Sequence, residues 1–88
     1  MIYKVSYLDR VEHDLKKLDK STQKRLLNKI EHSLARDPKS LGKPLAGIFA
    51  GLWRYRVGDY RIIYKISDEE ILIIVARIGH RKDVYRYS

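Results

Sequence analysis

The spacing of apolar residues changes along the chain, and the changes mark out helical and extended parts. Ile2 to Tyr7 alternates weakly between apolar and polar residues and predicts a strand. Leu8, Val11, Leu15 and Leu18 then recur at intervals of three and four, the spacing that lines one face of a helix. Asp9, with Glu12 three positions later, predicts a capping box at the start of that helix. Ser21 is the expected cap of a second helix carrying Leu26, Leu27, Ile30 and Leu34 on one side. This helix should end before Asp37-Pro38, because the residue preceding a proline is pushed out of the α region. The two helices are expected to form an antiparallel pair.

Residues 37–51 hold both prolines and three of the five glycines, Gly42, Gly47 and Gly51, and read as an ordered loop. The period then drops to two. Leu52 to Ile66 is rich in β-branched and aromatic residues on both sides of Gly58-Asp59, a pair that suits a two-residue type II′ turn with glycine first. Such a turn sets the register: Val57 opposite Tyr60, Arg56 opposite Arg61, Tyr55 opposite Ile62, Arg54 opposite Ile63 and Trp53 opposite Tyr64. Arg54, Arg56, Arg61 and Lys65 then share one face, and Trp53, Tyr55, Tyr60, Ile62 and Tyr64 share the other, the expected core. Asp68-Glu69 turns the chain into Ile71 to Ala76, apolar on both faces and so expected to be a central strand. A two-residue turn would set Ala76 beside Arg61 and leave space above the cations, whereas a three-residue turn would reverse the faces. Arg77 has no assigned place. Gly79 to Tyr85 follows at the sheet edge, where side chains could reach toward the hairpin. A strand, a helical hairpin and three further strands make an α+β chain.

The 88 residues suit one small domain, 1–88, with a single core. A formal net charge of +8 points to an anionic partner: nucleic acid, an acidic protein or an anionic membrane surface. The longest apolar run, Ile71 to Ala76, is far short of the ~20 residues needed to span a bilayer. With no secretory pattern at the N-terminus, a cytoplasmic protein is expected. The absence of cysteine excludes disulfides and thiolate metal sites, and His13, His32 and His80 lack metal-ligand spacing, so no metal or cofactor is expected. Lys16, Lys17, Lys20, Lys24, Arg25 and Lys29 fall on the exposed helix faces, where their ordinary role is solvation, with docking as a secondary one.

The arginines carry the candidate chemistry. Arg54, Arg56, Arg61, Arg77, Arg81 and Arg86 all follow Gly51, while lysine dominates before it. Like charges directly opposite in a sheet are destabilising, and a planar guanidinium matches phosphate where lysine is a hydrated point charge. An anion, above all a phosphate chain, accounts for the set Arg54, Arg56, Arg61 and Arg81. Cleavage of a phosphodiester by its neighbouring ribose hydroxyl needs positioning, removal of the 2′ proton, stabilisation of the pentacoordinate phosphate and protonation of the leaving oxygen. Arginine serves the third need and is a poor proton carrier. Tyr85 and His80 are the nearby residues able to move protons, and tyrosine can also stack on an unpaired base. The plain alternatives are a turn histidine with an ordinary hydrogen bond and a tail tyrosine packed on the sheet.

The segments Leu52-Trp53-Arg54-Tyr55-Arg56-Val57-Gly58-Asp59-Tyr60-Arg61-Ile62-Ile63-Tyr64 and Gly79-His80-Arg81-Lys82-Asp83-Val84-Tyr85 resemble the RelE/ParE superfamily of bacterial and archaeal toxins. The resemblance covers nearly the whole chain, and the Arg81 and Tyr85 ending leans toward the RelE branch. It implies one mixed sheet with the helices packed on one face. It also implies a metal-independent endoribonuclease that cuts translated mRNA on the ribosome, neutralised by an acidic, RelB-like antitoxin. Operator DNA would be bound only through the antitoxin. By resemblance, Arg61 and Arg81 bind the scissile phosphate and Tyr85 stacks on a base. Arg54 and Arg56 stand where the best-known member has lysines, one proposed as the base, so Tyr85 or His80 takes the 2′ proton or the arginines act only electrostatically. A ParE-like gyrase inhibitor and a non-catalytic nucleic-acid-binding module are the competing readings.

Overall fold

The computed structural model describes residues 2–85. It contains β1 (Lys4–Tyr7), α1 (Asp9–Lys16), α2 (Lys20–His32), α3 (Pro38–Leu41), β2 (Lys43–Pro44), β3 (Trp53–Val57), β4 (Tyr60–Ser67) and β5 (Leu72–His80). The strands form one mixed sheet in the order β1-β5-β4-β3-β2, in which β1 runs parallel to β5 and the other pairs are antiparallel. β5 lies between β1 and β4, as its two-sided apolar sequence demands. Val11 of α1, Leu26 and Ile30 of α2 and the following Leu34 bury against Val57, Ile62, Tyr64, Ile73, Val75 and Ile78. The aromatic face of the β3–β4 hairpin is therefore the core face, and the arginine face is turned away from the helices. Among the described residues no helix is long and apolar enough to cross a membrane.

Both expected helix caps fall elsewhere. Leu8 is the N-cap of α1 and its N–H is still bonded to Val75 O at 2.9 Å, so the chain passes from strand to helix without a side-chain cap bond. Asp9 already lies in the first turn, where it favours the helix dipole but makes no cap bond. At α2 the cap is Asp19, whose Oδ1 accepts from Thr22 N at 3.2 Å, and Ser21 is inside the helix.

Residues 37–51 also carry more structure than a loop. The buried Tyr64 hydroxyl donates to Pro38 O at 2.7 Å, which anchors α3 beneath the sheet. Gly42 follows α3 where a Cβ would overlap that hydroxyl and come within 2.9 Å of Arg54 O. Only glycine lets β2 close onto β3 there.

The turn between β4 and β5 is longer than either length considered from sequence. Ser67 pairs with Leu72 across Asp68 to Ile71, and Ile71 closes the turn at φ 51°. A register shift then leaves Ala76 without a partner, since Tyr64 pairs with Val75 and Ile63 with Arg77. In consequence Gly79, not Ala76, lies opposite Arg61. β1 ends opposite Val75, so β5 continues past its neighbour and needs another partner on that edge. Asp14 of α1 supplies it. Only 5% exposed, its carboxylate accepts from Ile78 N at 3.0 Å and from Arg77 Nε at 3.4 Å, which gives Arg77 its place.

Candidate functional site

The site is built on the β3–β4 hairpin, whose five cross-strand pairs are those set by a two-residue turn at Gly58-Asp59. Gly58 has φ 59° and Asp59 is not in the positive-φ region, the signature of a type II′ turn. Arg56 accordingly faces Arg61, and Arg54 faces Ile63.

These arginines are not equivalent. Arg56 is exposed and Arg54 half-buried, but Arg61 is only 9% exposed. Its Nη1 donates to Gly58 O and Tyr60 O, both at 3.0 Å, which folds the guanidinium back over the turn and fixes it. The floor beside it is low, since Gly79 lies opposite and the neighbouring Ile63 is buried. Beyond β5 the chain reverses through N–H groups of Asp83 and Val84 bonded to His80 O at 2.8 and 3.0 Å. Val84 is thereby brought over Gly79, where an added Cβ would meet it at 3.6 Å. Arg81 is tied to the hairpin turn by Arg81 N to Asp59 O at 2.8 Å and by Nε to Asp59 Oδ1 at 3.8 Å, while its side chain stays 56% exposed.

The electrostatics join these groups. Burial lowers the Arg61 pKa, and the charge of Arg56 adds to the effect; Tyr85 opposes it, while Arg54 and Arg81 lower it further. Arg54, Arg56, Arg81 and Tyr85 therefore all act on Arg61. A desolvated guanidinium among like charges is stabilised by any anion that enters, which is how a phosphate cradle works.

Tyr85 meets an aromatic partner that the sequence reading missed. Phe49, from the short turn Gly47–Phe49, contacts it edge to face with ring centroids 5.5 Å apart and planes at 62°. The only hint in the sequence was an aromatic residue inside a glycine-rich loop just before the hairpin.

His80 does not join the set. It pairs across the sheet with Tyr60, and the two rings meet edge to face with centroids 5.8 Å apart. Tyr60 alternates with Arg61 and shares the face of Val57 and Ile62, so His80 lies on the side of the sheet opposite Arg61. There it borders a cavity of about 550 Å³ between α1 and the end of β5, lined also by Arg10, Asp14, Tyr60 and Arg77. Its Nδ1 accepts from Lys82 N at 3.2 Å, an ordinary turn bond. Among the described residues there is no group of three His, Asp or Glu side chains that could hold a metal ion.

Comparison with known proteins agrees with this architecture. Residues 5–85 match the family model described as the ParE toxin of the type II toxin-antitoxin system, parDE. Toxin RelG of Mycobacterium tuberculosis is 35% identical over 86 residues, covering 98% of this chain and 99% of RelG. The crystal structure of the toxin-antitoxin complex RelBE2 from the same organism aligns with TM-score 0.88 and 32% identity over 92% of this chain and 100% of the matched chain. The isolated Escherichia coli RelE toxin shares the fold, with TM-score 0.70 and 18% identity over 98% of this chain and 88% of that one.

Proposed function

The chain belongs to the RelE/ParE superfamily of type II toxin-antitoxin toxins, and we propose that it is an endoribonuclease cutting translated mRNA on the ribosome. One observation carries this reading: a buried, backbone-fixed Arg61 that faces Arg56 across the hairpin whose turn Arg81 bonds. In the proposed reaction the ribose O2′ forms a bond to the adjacent phosphorus while the P–O5′ bond breaks. The products are a 2′,3′-cyclic phosphate and a free 5′-hydroxyl. Arg61 and Arg81 bind the non-bridging oxygens and stabilise the charge that grows on them, with Arg54 and Arg56 adding field. Tyr85 stacks on a neighbouring base and holds the nucleotide in line.

With His80 on the other face, Tyr85 is, among the described residues, the candidate proton acceptor left from the set read in the sequence. The 2′ proton leaves to Tyr85 or to solvent hydroxide, and the leaving oxygen takes one from water. Catalysis rests mainly on charge and alignment.

The partner is an acidic antitoxin. The net charge of +8 supports this, as does the antitoxin bound to the similar toxin in the RelBE2 complex. The family model is named for ParE, and the second reading is a ParE-like inhibitor of DNA gyrase without chemistry of its own. Induced expression separates the two. The endoribonuclease arrests growth with messages cut inside translated codons, and Arg81→Ala relieves both effects. A gyrase inhibitor leaves message intact and blocks supercoiling in vitro.

A further inference from the structure

The segment joining β2 to β3 is a closed loop that carries Phe49 against Tyr85. Leu45 N bonds to Leu52 O at 2.8 Å and shuts the loop at its base. Inside it, Ala50 N bonds to Gly47 O and Leu52 N to Phe49 O, both at 3.1 Å, around glycines at φ 65° and 94°. These bonds fix the backbone that carries Phe49, whose ring meets Tyr85 at 62°. In an edge-to-face contact the ring offering its edge keeps both faces clear of its partner, and the ring offering its face keeps one. In either arrangement Tyr85 retains a face that Phe49 does not cover, while Phe49 limits how the tyrosine ring can turn. The preceding residue, Ile48, is 74% exposed.

We propose that Phe49 is the second wall of a nucleobase site whose first wall is Tyr85. The two rings make an aromatic corner beside Arg61 that takes the unpaired base flanking the bound phosphate. This rests on the reading of the arginine face as an RNA site and assigns it a base-recognition element. A single tyrosine would accept any base on a ring that can rotate. A corner fixes the plane of the base and sets a boundary on its edge, so Phe49 contributes to which base is accepted.

The test uses ribosomes programmed with a message carrying 2-aminopurine in the decoding-site codon, with 2′-deoxyribose at that nucleotide so that no cleavage occurs. Toxin binding is followed by co-sedimentation, and stacking by quenching of the 2-aminopurine fluorescence. The wild-type protein is expected to quench on binding, and Phe49→Tyr to preserve the quench. Phe49→Leu, which keeps apolar bulk against Tyr85, should lose part of the quench, bind roughly fivefold more weakly and lose base preference across messages. Thermal melts identify any variant that fails to fold, and Phe49→Trp then replaces Phe49→Leu, with altered base preference across messages as the expected result. Binding without quenching, or equal quenching and equal base preference in the variants, overturns the aromatic corner. Failure of the wild-type protein to co-sediment overturns the RNA reading itself.

Discussion

At the scale of single residues, the arginine face combines an energetic liability with the chemistry proposed for it. Arg56 is exposed and faces Arg61 directly, so its charge opposes the fold unless an anion is bound. Arg56→Gln should therefore raise the free energy of unfolding by about 0.2–1 kcal/mol while lowering the rate of message cleavage, measured by denaturant melts alongside primer extension. A second expectation comes from His80, whose contact with Tyr60 puts it across the sheet from Arg61. A histidine base would give a rate that levels off above its ordinary pKa of about 6.5. Without one, cleavage should keep rising as pH increases from about 6 to 8, and His80→Gln should leave that profile unchanged. The alternation around Gly58-Asp59 was enough to read the arginine face from sequence, because a two-residue turn leaves no freedom in register. The side of the sheet on which His80 lies was not legible, since it depends on the unpaired Ala76 and the four-residue turn before it.

At the scale of elements, periodicity located the helices and strands, while their ends depended on contacts that periodicity does not carry. Asp19 caps α2 through Thr22 N, where Ser21 was the expected cap. Asp19→Ala should lower Tm by a few degrees, the scale of a lost N-cap in a small domain, and Ser21→Ala should leave it unchanged. The glycine-rich loop hid α3, β2 and the anchoring of α3 by Tyr64, because a strand of two residues has no period to read. Gly42 sits where Tyr64 and the Arg54 carbonyl close in, so Gly42→Ala should destabilise the fold by about 1–3 kcal/mol through overpacking. Calorimetric or denaturant melts measure both effects. Asp14 was unreadable for a related reason: a polar residue on the buried side of an amphipathic helix becomes explicable only once Ile78 N and Arg77 are placed against it.

At the scale of the whole molecule, the sheet separates a packed, helix-covered face from a cationic one, and the exposed lysines of the helices add to a net charge of +8. Such a field draws the protein to polyanions and makes its binding weaken steeply with salt, whichever anionic partner is bound. Charge therefore does not distinguish a nuclease from a gyrase inhibitor or a passive binding module, and the separation must come from the product. The most direct measurement is primer extension on a translated message after induction of the wild-type protein and of Arg81→Ala. The Arg81 side chain is more than half exposed, so the substitution can be made without disturbing the core. The expected result is cuts inside translated codons, reduced about a hundredfold in Arg81→Ala, the scale of losing one group that stabilises the transition-state charge. Intact message during growth arrest, or undiminished cutting by a folded Arg81→Ala protein, would contradict the account.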